Sequence, residues 1–178
     1  DINQKSIEVL FKRGGCIVYE NKRRRIEKTL LHSAIENEHL NIVKICSEHP
    51  KIDINLPLNE LSIDLPDVSD KSFEKAFKDS SESDFSKTYP LFMAVSKDNI
   101  DIVRLLLNHH EIDINAQSTY GWYHKTALHE AVIKNHVEIV KLLLQQKKID
   151  IYVYDDNNKK PINYAKNKMS FCIIIISS

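Results

Sequence analysis

Glycine occurs only three times in 178 residues. That is too few for the Gly-rich loops that cradle phosphates, and neither a Gly-x-Ser-x-Gly elbow nor a Cys-x-x-Cys pair is present. The chain therefore gives no positive reason to expect nucleotide chemistry, serine hydrolysis or dithiol redox work. Its three cysteines, Cys16, Cys46 and Cys172, are widely spaced and odd in number. This argues against a disulfide framework and a cysteine zinc site, and for a reducing, intracellular and most simply cytoplasmic setting. No apolar run reaches the roughly 18 residues of a membrane span, and the N-terminal residues lack the basic and apolar regions of a signal peptide. Net charge is missing as well. With 25 basic and 25 acidic residues, the global balance predicts neither a nucleic-acid nor a membrane partner.

What is present is enough for a folded domain: 42% apolar and 28% charged residues, a balance that disordered chains do not have. One stretch, TALHEAVIKNHVEIVKLLL from Thr126 to Leu144, invites a metal reading because it carries His129, Glu130 and His136. A zinc-protease helix needs two histidines four apart with a glutamate between them as base. Four positions after His129 stands Ile133, and His136 lies two turns on, about 10 Å along the axis. The spacing does not fit one ion, and no metal or other cofactor is expected.

Self-similarity is the stronger signal. TLLHSAIENEHLNIVKICSEHPKIDIN from Thr29, YPLFMAVSKDNIDIVRLLLNHHEIDIN from Tyr89 and TALHEAVIKNHVEIVKLLLQQKKIDIY from Thr126 are each 27 residues long and align without a gap. A fourth copy starts at Lys160 with KPINYAKNKMSFCIIII, and Asp1-Ile2-Asn3 matches the ending of a preceding copy. Within a copy, Leu31, Ala34 and Ile35 (Leu91, Ala94, Val95; Leu128, Ala131, Val132) form one stripe at three-and-four spacing, predicting a short helix. A second helix follows, with Ile42, Val43 and Ile45 (Ile102, Val103, Leu105, Leu106; Ile139, Val140, Leu142, Leu143) expected inside. Two such helices cannot bury their apolar faces alone, so neighbouring copies must stack to complete a core.

These residues resemble the ankyrin repeat family, whose pattern is Thr-Pro-Leu-His, paired small residues, a Gly-His turn, an Ile-Val-x-x-Leu-Leu helix and an Asp-Val-Asn ending. The resemblance implies an all-α helical solenoid with β-hairpin loops between copies, incomplete terminal repeats and no catalysis. It also implies that His32 and His129 order the start of their helices by local hydrogen bonds. Copies begin at Thr29, Tyr89, Thr126 and Lys160, steps of 60, 37 and 34 residues against a family period of about 33. The excess is therefore expected in the hairpins. Departures are informative too. The capping Thr survives at Thr29 and Thr126, the first-turn Pro at Pro90 and Pro161, and no copy keeps both. Each lost cap costs about 0.5–2 kcal/mol. The inter-helix glycine is replaced by Glu38, Asp98, Asn135 and Met169. If that turn needs a left-handed residue, Asn135 suits it best. At the position of His129 the other copies hold His32, Phe92 and Asn163, as expected of a helix-start framework rather than a ligand.

The resulting organisation is a closing fragment with an extended hairpin and basic loop over 1–28, and repeats over 29–55, 89–115 and 126–152. An acidic Ser-rich insertion fills 56–88, an aromatic hairpin 116–125, and a hairpin with a partial repeat 153–178. EVLFKRGGCIVYENKRRR in the first of these predicts a hairpin turning around Arg13-Gly14-Gly15, followed by the basic run Lys22 to Arg25. Between Asp64 and Asp84 seven acids and three lysines give a net charge of −4, with Phe73 and Phe77 spaced to pack on one helix face. By the resemblance, a protein partner is expected to meet the hairpin tips and the concave first-helix positions: Glu36, Asn37, Ser96, Lys97, Ile133 and Lys134, with Tyr120, Trp122 and Tyr123 in the aromatic hairpin. The expectation is thus a monomeric interaction scaffold. Competing readings are a regulatory or targeting segment of a larger enzyme or channel, nucleic-acid contact or nuclear targeting through Lys22 to Arg25, and a degenerate fragment whose FCIIII end stays apolar.

Overall fold

The computed structural model describes residues 16–21, 24–50, 52–62, 86–119 and 123–166, with only the backbone for 16–27 and 60–62. Among them are six α-helices: α1 (Leu30–Glu36), α2 (Leu40–Glu48), α3 (Pro90–Ser96), α4 (Ile100–Leu107), α5 (Ala127–Ile133) and α6 (Val137–Leu144). Strands β1 (Cys16–Asn21), β2 (Arg24–Thr29), β3 (Leu58–Ser62) and β4 (Ser86–Thr88) lie outside the helical pairs, and a 3₁₀ turn, Pro161–Tyr164, opens the fourth copy. Each copy is thus an antiparallel helix pair. First helices stack in one row, α1 on α3 on α5 on the 3₁₀ turn, and second helices in another, α2 on α4 on α6.

The first-helix stripes behave as their spacing predicts. Leu31, Ala34, Ile35, Leu91, Ala94, Val95, Leu128, Ala131 and Val132 are all buried in one continuous core. The second helices correct one expectation. Ile102, Val103 and Leu106 of α4 and Ile139, Val140 and Leu143 of α6 are buried, but in α2 the buried pair is Val43 and Cys46. Ile42, and Leu105 of α4, are only partly covered, and Ile45 is 37% exposed. Among the described residues α2 has a second helix on one side only, so the face carrying Leu40 and Ile45 lacks the stacking neighbour that α4 has on both.

The inter-helix turn is left-handed in every full copy, with φ of 56° at Glu38, 58° at Asp98 and 62° at Asn135. Each turn closes with the same two bonds. His39 N–H donates to Ala34 O at 2.8 Å and Glu38 N–H to Ile35 O at 3.1 Å, and the pairs from Asn99 and Asp98, and from His136 and Asn135, repeat this. This double closure ties off the last carbonyls of the helix. It requires the left-handed residue that the family supplies as glycine, so two acidic side chains sit here at a steric cost.

The strands form one antiparallel sheet in the order β1-β2-β3-β4. Its first hairpin differs from the sequence expectation: Cys16–Asn21 pairs with Arg24–Thr29, Asn21 opposite Arg24, while Arg13, Gly14 and Gly15 lie outside the described residues. The basic run therefore falls between and within the two strands rather than in a loop after them. Strand β3 was not anticipated, because Leu58–Ser62 reads as the start of an acidic insertion. It pairs with β2 across the boundary between two hairpins and with β4 within its own. The extra length of the 60-residue step thus enters and leaves through a hairpin. Phe73, Phe77 and the acidic serine run lie outside the described residues, as do Met169 and FCIIII.

Candidate functional site

The first-helix starts set the geometry along the first-helix row. Thr29 caps α1 and Thr126 caps α5, each hydroxyl accepting the backbone N–H of the histidine three residues on, at 3.3 and 3.4 Å. In return the Nδ1 of His32 accepts Thr29 N–H at 3.3 Å, and that of His129 accepts Thr126 N–H at 3.2 Å. The opposite ring nitrogens reach the next copy. His32 Nε2 lies 3.2 Å from Thr88 O and His129 Nε2 lies 3.1 Å from Lys159 O. A carbonyl can only accept, so both rings must carry the proton on Nε2 and stay neutral. Burial drives the same way. It holds His32 down to about 4, with the Thr88 carbonyl partly opposing and Lys28 adding to the depression. Burial likewise lowers His129. Both ring nitrogens of His129 are thus committed, while His136 pairs through Nδ1 with Asp98 at 3.0 Å. The stretch that suggests a metal helix is a structural start-and-turn unit.

Copy two lacks both the capping threonine and the histidine. Phe92 fills the buried ring position, Pro90 begins α3, and Tyr89 makes no side-chain cap. The N–H of Tyr89, freed by the absence of an imidazole, donates instead to Ser118 Oγ of the next hairpin at 3.1 Å. In copy four Asn163 Oδ1 accepts the Lys160 N–H at 2.8 Å, doing the work of the histidine Nδ1.

Two further ladders join the copies. At the repeat ends Asn55 Nδ2 donates to Glu111 O at 2.7 Å while its Oδ1 accepts Asp113 N–H at 2.8 Å. Asn115 repeats this with Lys148 O and Asp150 N–H at 2.8 and 2.9 Å. At the inter-helix turns Asn99 Nδ2 donates to Glu38 Oε2 at 3.3 Å, and the His136 contact with Asp98 is its counterpart one copy on. The Asp-Ile-Asn endings were visible in the sequence, but not this role, since nothing local pairs Asn55 with a backbone 56 to 58 residues away.

Of the expected contact residues, most lie along one edge of the first-helix row and are held in place. Glu36 pairs with Lys28 at 2.9 Å, and Asn37 Nδ2 donates to Ser33 O at 2.8 Å. Lys134 Nζ donates to both Ser96 O and Ser96 Oγ at 2.9 Å and lies 3.1 Å from Glu130, bridging copies two and three. Lys97 is exposed and Ile133 half-buried. In the aromatic hairpin Tyr123 is 43% exposed, whereas Tyr120 and Trp122 lie outside the described residues. That hairpin is tied to its neighbours: Thr119 N–H donates to Lys87 O at 2.8 Å, and Gln117 Nε2 donates to His124 O and Tyr154 O at 2.7 and 2.9 Å. Helix ends and hairpins therefore form one preorganised row.

The ankyrin repeat family model, in three copies, matches residues 68–168, more than half the chain. No curated protein matches the sequence significantly. Among solved structures, the ankyrin repeat domain of Bcl-3, described as a unique member of the IkappaB protein family, matches with a TM-score of 0.60 and 24% identity, over 83% of this chain and 51% of that one. The chain thus spans about half the length of that structure, and at this identity the likeness concerns the fold. No helix among the described residues is long and apolar enough to cross a membrane. From its tandem helix pairs, left-handed turns and histidine-ordered helix starts, and from the family match, this chain belongs to the ankyrin repeat family.

Proposed function

We propose that the chain is a protein-interaction scaffold without catalysis of its own, acting as a monomer inside the cell, in the cytoplasm. Ankyrin repeats are protein–protein interaction modules, and the contact surface assigned here is the first-helix edge (Glu36, Asn37, Ser96, Lys97, Ile133, Lys134) with the aromatic hairpin (Tyr120, Trp122, Tyr123). The observation that carries this reading is the bonding between copies. The Lys134 contacts to Ser96 and the Gln117 contacts to two hairpins fix the row before any partner arrives. A preorganised surface loses less side-chain entropy on binding. Aromatic side chains such as those of this hairpin sequence are suited to supply contact area at low entropic cost.

The test is a crosslinking capture of partners from cell extract by the wild-type chain and by a Trp122→Ala, Ile133→Ala variant. Capture is expected to weaken by about tenfold or more, as hot-spot truncations do, with circular dichroism and melting temperature nearly unchanged. A fall in melting temperature with capture intact would make both residues structural and refute the assignment.

A further inference from the structure

We infer that a tyrosine–lysine surface on the last two hairpins binds an acidic segment of a partner protein. This rests on the interaction-module reading and names the chemistry of the partner. Among the described residues the exposed large apolar side chains are Leu40, Ile45, Tyr123, Tyr152 and Tyr154. The three tyrosines come from the aromatic hairpin, the last residue of copy three and the segment that follows it, and the hairpin and that segment are bonded together through Gln117 and through Asp156 N–H to Tyr123 O.

Lysines sit on these rings. Lys125 Nζ lies 4.6 Å from the Tyr123 centroid, and Lys160 Nζ lies 4.9 and 5.1 Å from those of Tyr152 and Tyr154. Lys159 Nζ is 5.3 Å from the ring of Tyr164. The carboxylates nearby are turned to other donors. Asp155 accepts Asn157 N–H, Lys159 N–H and the Tyr164 hydroxyl. Asp156 pairs with His124 at 2.7 Å, and Asp150 accepts Tyr152 N–H at 2.8 Å. None of the ion pairs among the described residues involves Lys125, Lys159 or Lys160. Each ammonium brings three donors and no acceptor, and a ring face leaves most of those donors turned outward. A chain segment bearing carboxylates supplies the missing acceptors, and the ring edges supply apolar area beside them.

Position 152 adds an independent reason. In copies one and two it is Asn55 and Asn115, whose side chains are consumed in bonding the next copy. In copy three it is Tyr152, 57% exposed, with Tyr154 51% exposed two residues on. The site that elsewhere joins repeats here faces solvent with an aromatic ring.

The probe is a fluorescein-labelled peptide alternating glutamate and leucine, read by anisotropy, with a counterpart carrying lysine for glutamate. The acidic peptide is expected to bind the wild-type chain and the basic one not to. Lys159→Gln with Lys160→Gln, and separately Tyr152→Ala with Tyr154→Ala, should each weaken binding about tenfold, and added salt should weaken it further. Lys44→Ala, an exposed position on α2, should leave it unchanged, and unaltered circular dichroism of each variant separates lost contact from lost fold. Equal binding of the basic peptide, no binding of the acidic one, or affinity indifferent to the lysine and tyrosine changes would overturn the inference. So would tighter binding of an RNA homopolymer through the same lysines. Extract capture by the Lys159→Gln, Lys160→Gln chain separates the two levels. Undiminished capture sinks the acidic-segment inference and leaves the scaffold reading standing, whereas no capture even by wild type sinks the scaffold reading itself.

Discussion

His32 makes the array acid-labile in a way that can be separated from everything else that titrates. Its ring is fully buried and its Nδ1 accepts Thr29 N–H, both of which favour the neutral form, while the Thr88 carbonyl at Nε2 opposes them only in part. In the unfolded chain its value returns to about 6.5, while burial holds it near 4 in the fold. The native state therefore resists a proton that the unfolded state accepts. The stabilisation is present above about pH 6.5, falls away between about 6.5 and 4, and changes no further once both states are protonated. A gap of this size corresponds to about 3 kcal/mol, a large part of a small domain's margin. Asp155 also loses stability on acidification, because donors from Tyr164, Lys159 and Asn157 outweigh the opposing effect of its burial and hold its carboxyl below the ordinary range. The measurement must therefore be a difference. Urea denaturation followed by circular dichroism from pH 7 to 4 should show His32→Phe losing about 3 kcal/mol less than wild type. The change copies Phe92, which fills the same site in copy two. At pH 7 the variant should be weaker, since Thr29 N–H loses an acceptor, so the pH slope and not the absolute stability decides. Parallel pH profiles of the two proteins, or a His32 proton titration at an ordinary midpoint, would refute the reasoning.

Ser118→Ala should lower stability by about 1 kcal/mol, because Tyr89 N–H is left part-buried without its acceptor; adding Phe92→His should restore part of the loss in the same urea melts. Glu38→Gly should raise stability by up to about 1 kcal/mol by relieving the left-handed turn, and a loss on thermal melting would mean that the Asn99 contact outweighs backbone strain. Asn115→Ala removes both bonds to Lys148 and Asp150 and should cost about 2 kcal/mol. It should also broaden unfolding as copy three uncouples from copy two, and a sharp, unshifted transition would count against the asparagine ladder.

The parts of this fold legible in the sequence are those decided within a few residues. The Leu-x-x-Ala-Ile stripe, the capping threonines and the left-handed inter-helix position repeat at fixed spacing, and each follows from helix periodicity or backbone sterics alone. The candidate surface was legible as positions but not as contacts. Lys134 could be placed on the first-helix edge, but its bond to Ser96 depends on how far one copy is rotated on the next. Trp122 and Tyr120 lie outside the described residues, while Tyr152, Tyr154 and Lys160 carried no motif that would single them out.

Ile45 and Ser118 mark the boundary between the two kinds of information. The sequence by itself determined the repeat, the helix pairs, their caps and the residues able to fill a core, because hydrophobic period and hydrogen-bond valence are local properties. Only the tertiary structure decided which of those residues are covered. Ile45 matches in type Leu105 and Leu142, which are partly covered and buried respectively, yet is exposed because no described helix packs on that side of α2. Only the stacked copies could show that Ser118 replaces an absent histidine 26 positions earlier in the chain, that Asn55 and Asn115 clamp successive repeats, and that Leu58–Ser62 is a strand. Each of these bonds satisfies a backbone group whose partner is brought near by stacking, and chain order carries no record of that distance.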